Sequence, residues 1–453
     1  MNTIPSFKAY DIRGKIPDDL NEEMAYDIAR GYVAEIKPKG AIAIGHDIRD
    51  SSEAISRAVV TGFNDAGIDT VDIGLCGTEM VYYASSLDGM DGGAMITASH
   101  NPRGYNGIKL VRQAGKPISG DTGLMDIERR VRTGDIPPVS DKPGTAVTRD
   151  IMAQYADKIL SFVDIHKLKP LKIIVNPGNG CAGPALNALA KHLPFDFKRV
   201  NFEPDGTFPN GIPNPLLIEN RDQTASAVQS ERADIGVAWD GDFDRCFLFD
   251  ETGAFIEGYY LVGYLASQLL ISSPGERIVH DPRLTWNTIE MVEKAGGVAV
   301  ESKSGHSFMK EKMRETNAIY GGEMSAHHYF RDFTFSDSGM IPWLLIAQAM
   351  SVTGLKLSEL VAERIDRYPC SGEINRSVDN ADTVMERVKS QYIDKATLFS
   401  DIDGICFEFG RNWRFNLRKS NTEPLVRLNV EAAGDKSLLK EKTEEILRTI
   451  DSK

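Results

Sequence analysis

The sequence predicts an α/β protein of several related units followed by a smaller α+β tail. Three observations carry this reading. Short apolar runs alternate with helical patterns over roughly the first 370 residues, the β-α alternation of helices laid over sheets. Three apolar strands, ending near Ser99, Asp240 and Glu323, each run directly into a polar loop. In α/β sheets ligands collect beyond the carboxyl ends of strands, so three such units present three loops to one site. The last ~85 residues follow a different pattern, in which DIDGICFEF, NWRFNLRKS and VRLNVEAA read as antiparallel strands and KSLLKEKTEEILRTI as a closing helix.

Taken in order, AIAIG at 41–45 is a buried strand, and Ser51 and Ser52 open a helical pattern that runs through Ala66. GGAMITAS at 92–99 is a strand that ends in a polar loop. LKIIVNP at 171–177 leads through a Gly-rich turn into the helical ALNALAKHL. DIGVAW at 234–239 is a buried strand, and RCFLF–DETG–AFI is the hairpin after it. AIYGGE at 318–323 is again strand into loop. Breaks near 145–150, 251–257 and 368–372 divide the chain into segments 1–148, 149–252, 253–368 and 369–453.

Composition narrows the function. Of 453 residues, 42% are hydrophobic and 26% charged, which excludes a disordered chain or a small disulfide scaffold. There are 52 Lys plus Arg against 65 Asp plus Glu, a net charge of −13, which argues against nucleic acid as the main partner. The 5 cysteines form no CxxC pair, so neither a zinc site nor a disulfide framework is expected. The N-terminus has no apolar core of signal-peptide length, and the most apolar stretch, 340–350, is too short to span a bilayer. The expectation is a cytoplasmic enzyme with neither a membrane nor a nucleic-acid partner.

Four constellations carry candidate chemistry. In Thr97-Ala98-Ser99-His100-Asn101-Pro102, Ser99 is either a nucleophile or phosphate carrier, or part of a self-bonded Ser/Asn turn. No GxSxG elbow is present, which weakens a hydrolase reading. Lys109 alternates with Ile108 and Leu110 and faces either the same cleft or solvent; the alternation alone favours solvent. In Asp240-Gly241-Asp242-Phe243-Asp244-Arg245, three carboxylates leave a buried strand. Two unit charges ~4 Å apart repel by roughly 4 kcal/mol at an effective dielectric of ~20, so three converging pairs cost about 12 kcal/mol. A bound cation removes that cost, and oxygen-only ligands favour Mg²⁺, Mn²⁺ or Ca²⁺; the other reading is a solvated acidic turn. An EF-hand is rejected because Arg245 stands where that loop needs Gly. A haloacid-dehalogenase pattern is a minor alternative. In Gly322-Glu323-Met324-Ser325-Ala326-His327-His328, an extended loop would point Glu323, Ser325 and His327 one way, a set suited to sugar hydroxyls. His306 opens a helical pattern and is either structural or part of the site. In Arg418-Lys419-Ser420-Asn421-Thr422-Glu423-Pro424, a planar Arg fork with hydroxyl and amide donors forms either a phosphate clamp or a charged hairpin tip. Gly178-Asn179-Gly180-Cys181-Ala182-Gly183 matches the dinucleotide-binding GxGxxG pattern between a strand and a helix, with Glu203 at about the distance of a ribose contact, so a dinucleotide-dependent oxidoreductase using this turn is the remote alternative. No hydride chemistry lies nearby, and the glycines equally serve close packing.

Together and in this order, TASHNP, DGDFDR, GEMSAHH and RKSNTEP resemble the phosphoserine, metal, sugar and phosphate loops of the α-D-phosphohexomutase family. FKAYDIRG near the N-terminus and GHDIRDSS at 45–52 also resemble family segments. The resemblance implies a four-domain architecture: three related α/β domains and a smaller C-terminal α+β domain around a central cleft. It implies Ser99 as the phosphoryl carrier and Asp240, Asp242 and Asp244, with Ser99, as the Mg²⁺ site. It implies His100, Lys109, Arg245 and His306 as catalytic residues, with Lys109 and the histidines as acid/base candidates. Tyr10, Arg13, Arg283, Glu323, Ser325, His327, Arg418, Ser420, Asn421 and Thr422 are the implied phosphosugar ligands. The implied reaction interconverts mannose 1-phosphate and mannose 6-phosphate through a hexose 1,6-bisphosphate, which also primes the enzyme, and feeds GDP-mannose synthesis. A glucose-accepting mutase is the alternative. The sugar loop departs from the family's frequent GExSGH at Ala326, whose methyl group stands where Gly is usual.

Overall fold

The run Ala41–His46 is central because Ile42, Ala43 and Ile44 are fully buried, as expected of a strand covered on both faces. The computed structural model describes residues 3–420 and 425–452. The chain forms two compact units, Met1–Phe255 with His327–Lys356, and Ile256–Ala326 with Leu357–Lys453.

In the first unit, Ala41–His46 pairs in parallel with Thr70–Leu75 on one side and Met90–Ile96 on the other. Met90–Ile96 then pairs antiparallel with Tyr105–Arg112, and that strand with Ile12–Lys15. The loop holding Ser99 therefore lies between two neighbouring strands, Met90–Ile96 and Tyr105–Arg112. Helices Glu22–Ile36 and Ser52–Asp65 bury Ile28, Tyr32, Ile55 and Phe63 in the core beneath this sheet. A second sheet orders Cys246–Phe249, Ile235–Trp239, Lys172–Asn176 and Asp196–Arg199. Every residue of Ile235–Trp239 is buried, so the acidic loop leaves from the middle of a covered sheet. The antiparallel pair His328–Phe330 and Ser336–Asp337, then the helix Ile341–Thr353, complete this unit. The apolar stretch at 340–350 is part of that buried helix; among the described residues no single helix is long and apolar enough to cross a membrane.

The second unit holds both kinds of sheet that the sequence predicts for this part of the chain. Arg277–His280 pairs in parallel with Val298–Glu301 and with Tyr320–Gly322, with helices Gly258–Ser272, Trp286–Lys294 and His306–Thr316 interleaved in the chain. Beyond Leu357–Arg367 the pairing becomes wholly antiparallel, in the order Ile374–Ser377, Leu425–Ala432, Trp413–Lys419, Ile405–Phe409, Leu398–Ser400. Helices Ala381–Tyr392 and Lys436–Asp451 contribute Val388 and Ile446 to a core with Phe407, Phe415, Leu417 and Val430. This is the α+β tail expected from the alternating strands.

One buried carboxylate pins three segments of the first unit. Glu79, in helix Thr78–Ala84, is fully buried. It accepts hydrogen bonds from Tyr155 Oη (2.5 Å), Ser338 Oγ (3.0 Å), Gly339 N (2.5 Å) and Met340 N (3.2 Å). The two amides belong to the open N-terminus of helix Ile341–Thr353, where a negative charge is favoured. Burial pushes the Glu79 carboxyl up to about 8, although all four donors pull it down. Replacing Glu79 with Ala leaves those donors unmet, and we expect a loss of about 3 kcal/mol in urea unfolding of the whole chain.

Candidate active site

The Ser99 loop is a strained turn. Thr97 Oγ1 accepts from Ser99 N (2.8 Å), and Asn101 N donates to Ala98 O (2.9 Å). Ser99 has φ +48°, a left-handed conformation that non-glycine residues hold only where their surroundings enforce it. This turns Ser99 Oγ toward Asp240 Oδ2, to which it donates at 2.8 Å, and places it 3.0 Å from His100 Nδ1. Arg245 closes the group: Nε donates to Asp240 Oδ2 (2.8 Å) and Nη2 to His100 Nδ1 (2.6 Å). A guanidinium only donates, so His100 Nδ1 carries the lone pair and Nε2 the proton. Burial, then Arg245, hold the imidazole neutral, its pKa well below the usual histidine range.

Asp240, Asp242 and Asp244 are all buried, and one oxygen from each lies within 4.8 Å of the others. The chain reverses through Phe243, at φ +43° and fully buried. Lys109, on Tyr105–Arg112, is buried and donates to Asp242 Oδ2 (2.7 Å) and Asp244 Oδ2 (2.6 Å). The solvent-facing reading of its alternation is therefore corrected: this strand is covered on both faces, so period two does not separate wet from dry positions. Thr78 Oγ1 donates to the same Asp242 oxygen at 2.5 Å. Burial raises Asp242 and Asp244, but Lys109 with the Thr78 hydroxyl at Asp242, and Lys109 with His327 and Arg245 at Asp244, bring both below the usual carboxylate range. Burial in turn lowers Lys109, and Asp242 and Asp244 more than restore it, so its pKa lies above the usual lysine range. Burial pushes Asp240 up to about 6 against the pull of Arg245.

These donors fit a hard divalent cation. Asp242 Oδ1 and Asp244 Oδ1 are buried and meet no hydrogen-bond donor among the described residues. Three carboxylates against Lys109 and Arg245 leave one net negative charge, and a phosphate on Ser99 would add about two more. An all-oxygen set with that excess suits Mg²⁺ or a similar ion. Asp244 also takes part in a second close group with His327 and Asp337. His327 pairs with Arg245 in an isolated antiparallel bridge, and its Nδ1 lies 3.1 Å from Asp337 Oδ2 and 3.9 Å from Asp244 Oδ1.

The glycine-rich turn expected as a possible dinucleotide site has a different role. A Cβ on Gly180 would lie 2.7 Å from Gly241 O, and Cys181 N donates to that same oxygen at 2.9 Å. A Cβ on Gly241 would in turn lie 2.6 Å from Ser99 O. Residues 178–183, the acidic loop and the Ser99 loop thus stack backbone on backbone, and the helix start is occupied by protein.

In the second unit, Arg283 gathers the expected sugar ligands. Its Nη2 donates to Asp281 Oδ2 (2.7 Å), Ser325 Oγ (3.2 Å) and Glu323 Oε1 (3.4 Å). Glu323 Oε1 also accepts from Gly305 N (2.8 Å), which ties it to the start of His306–Thr316. Residues 323–326 form a turn closed by Ala326 N to Glu323 O (3.0 Å), with Ala326 at φ +71°. The extended-loop expectation is corrected here, because a left-handed residue breaks the alternation that would align Glu323, Ser325 and His327. It also accounts for the usual glycine at this position. Glu373 gathers three cations: Arg418 Nη2 at 3.0 Å, Arg427 Nη1 at 3.4 Å and Arg283 Nη1 at 3.5 Å. Arg418 and Arg427 stand opposite each other on paired strands, leaving an excess of positive charge beside Ser420. Asn421 and Thr422 lie outside the described residues. Among the N-terminal candidates, Arg13 Nη1 donates to Asn101 Oδ1 (2.6 Å), and Tyr10 lies partly buried just before it.

Sequence reasoning did not find Thr78, Asp337, Glu373 or Arg427. Thr78 and Asp337 lie in segments with no local pattern. Arg427 had a signal, a charge within the apolar alternation of VRLNV. The charge arrangement makes one prediction. Removing the Lys109 ammonium leaves the carboxylates uncompensated, so Lys109→Met should bind Mn²⁺ about tenfold more tightly in calorimetry, with weaker binding the opposite result.

Comparison with known proteins agrees with this geometry. Models of the phosphoglucomutase/phosphomannomutase family match residues 5–136 (alpha/beta/alpha domain I), 153–253 (domain II), 257–368 (domain III) and 373–449 (C-terminal domain). A protein of Xanthomonas campestris named "Phosphohexose mutases" is 56% identical over 444 residues, covering 98% of each chain. A "Phosphomannomutase" of Salmonella montevideo is 52% identical over 458 residues, covering 100% of both, and one of Escherichia coli is 52% identical over 454 residues, covering 99% of both. Among solved structures, a phosphoglucomutase/phosphomannomutase family protein of Burkholderia thailandensis superposes with TM-score 0.87 at 29% identity, covering 99% of this chain and 98% of that one. Matched along nearly its whole length, the chain belongs to the phosphoglucomutase/phosphomannomutase family.

Proposed function

We propose that the chain is a phosphomannomutase that carries its phosphoryl group on Ser99 and interconverts mannose 1-phosphate and mannose 6-phosphate. The observation that carries this is Ser99 Oγ donating at 2.8 Å to the first of three buried carboxylates. Phosphoserine 99 gives its phosphoryl group to the sugar's 6-hydroxyl: the serine Oγ–P bond breaks and Oγ takes up a proton, while the sugar O6–P bond forms and the hydroxyl proton leaves to a base. The hexose 1,6-bisphosphate then presents its other phosphate: the sugar O1–P bond breaks and O1 takes up a proton, while the Ser99 Oγ–P bond forms again as the serine hydroxyl proton leaves. Two acceptors, Asp240 Oδ2 and His100 Nδ1, lie within reach of that proton. The proton taken from the sugar falls to one of the acid/base candidates, Lys109 and the histidines, of which His327 lies beside the acidic loop. Asp240, Asp242 and Asp244 would hold Mg²⁺, which supplies electrostatic stabilisation of the transferring phosphoryl oxygens when bound. Arg245, fixed between Asp240 and His100, adds a planar donor pair beside the same oxygens. In the second unit, Arg283, Glu323 and Ser325 are read as sugar-hydroxyl ligands, with His306 at the adjoining helix start. The cationic group of Arg418 and Arg427 with Ser420 is read as the clamp for the phosphate that is not moving. The segments 1–148, 149–252, 253–368 and 369–453 are our domain division.

A second reading is a mutase that takes glucose as well as mannose. It is favoured by the breadth of the name "Phosphohexose mutases" borne by relatives 56% identical to this chain. The test is turnover of mannose 1-phosphate and glucose 1-phosphate followed by phosphorus NMR, with Mg²⁺ and a trace of hexose 1,6-bisphosphate. We expect mannose phosphate to turn over, a phosphopeptide at Ser99, and a loss of at least about 1,000-fold in Ser99→Ala. Comparable rates on both sugars select the second reading. A Ser99→Ala protein that retains its rate contradicts both.

A further inference from the structure

The segment GHDIRDSS supplies one residue whose role the reaction described above leaves unassigned. Arg49 lies in the turn between strand Ala41–His46 and helix Ser52–Asp65, and it is 5% exposed. Its Nη2 donates to Ser99 O (2.7 Å) and Asn101 O (2.6 Å). Its Nη1 donates to Pro102 O (3.0 Å) and Tyr105 O (3.2 Å). A single planar fork thus gathers four backbone carbonyls of the nucleophile loop. The fork is itself held. Asp47 Oδ2 lies 3.4 Å from Arg49 Nε, and Asp47 Oδ1 accepts from Arg49 N (3.0 Å) and from Ser52 Oγ. Phe208 lies under the guanidinium, its ring centroid 5.4 Å away.

The position of this clamp matters because Ser99 O is also closely approached by the acidic loop. It is the atom that a Cβ on Gly241 would strike at 2.6 Å. The carbonyl is therefore fixed between the acidic loop and the Arg49 fork, and Ser99 is held at its left-handed φ of +48°. We propose that Arg49 is a positioning residue for Ser99, clamping the backbone of residues 99–105 so that Oγ points at the acidic loop. It touches neither the sugar nor the reacting phosphoryl group. Lys cannot replace it, because an ammonium lacks the planar fork that reaches carbonyls on two edges. The inference rests on the phosphoserine reading of the site.

Arg49→Ala separates this role from simple packing. The truncation opens onto a cavity of about 190 Å³ lined by Arg49, Arg103, Tyr105 and Phe208, large enough to admit free guanidinium. We expect kcat to fall about 100-fold with KM for mannose 1-phosphate changed less than about threefold, since misaimed chemistry and not lost sugar contact is the defect. Guanidinium at tens of millimolar, far below the molar range that unfolds proteins, should recover at least about tenfold of kcat, and methylammonium none. A kcat within about threefold of wild type, or equal recovery by the two cations, overturns the proposal. Should Arg49→Ala not fold, Arg49→Lys decides: the same split between kcat and KM is expected, and a wild-type kcat overturns it. Hydrogen exchange measured on Arg49→Lys is independent of turnover. Faster exchange confined to residues 97–106 supports the clamp, and unchanged exchange there overturns it. That measurement stands even if the wild-type chain turns over no hexose phosphate, so failure of the activity and failure of the clamp are distinguishable.

Discussion

Burying three carboxylates within one short loop is the constraint from which the rest of the site follows. At ~4 Å each pair repels by roughly 4 kcal/mol at an effective dielectric of ~20, a total comparable to the whole stability of many domains. The fold answers by bringing cations from separate places. Lys109 arrives from a strand of the first sheet and Arg245 from the end of the loop itself. Their two charges do not cancel three, and two carboxylate oxygens keep no donor among the described residues. The deficit fits the loop to hold a cation, and a phosphate on the neighbouring serine would deepen it.

Charge alone would not place a serine within hydrogen-bonding distance of this loop. Backbone contact does that. The stack of the 178–183 turn, the acidic loop and the Ser99 loop has no side chains at its crossing points, because Gly180 and Gly241 leave none there. Ser99 and Phe243, in two contacting loops of the stack, both hold left-handed backbone conformations. Strain at two adjacent turns is sustained by what surrounds them: a fully buried Phe243 ring, the Thr97 hydroxyl under Ser99 N, and the guanidinium fork of Arg49. The Ser99 loop and the acidic loop are thereby fixed relative to one another, which is the preorganisation that the proposed phosphoryl transfer needs.

Much of this was legible in the residues, and the unread part has a common physical cause. The strands ending near Ser99, Asp240 and Glu323 were visible because apolar runs followed by polar, proline- or glycine-containing loops are local signals. The acidic triad was visible because its residues are close together in sequence. Lys109 was not placed by its alternation, since a strand covered on both faces has no solvent side. Thr78 and Asp337 act on the triad from positions with no local pattern, and only the packing of separate strands and helices brings them there. The GxGxxG turn shows the converse: the same spacing that fits a pyrophosphate fits a neighbouring backbone, and sequence does not distinguish the two. Ala326 was noticed as a departure from a glycine. Its positive φ supplies the reason for that glycine and also removes the extended loop that the alternation of Glu323, Ser325 and His327 implied.

The central claim is that the buried charge deficit of Asp240, Asp242 and Asp244 is the metal site beside the nucleophile. It is tested most directly by a crystal structure of the protein with Mn²⁺, phased on the metal's anomalous signal. The account predicts one peak bonded to an oxygen from each of these three aspartates at about 2.2 Å, with the Ser99 side chain facing it. A peak seated instead on Asp244, His327 and Asp337, or no peak at saturating Mn²⁺, would contradict it.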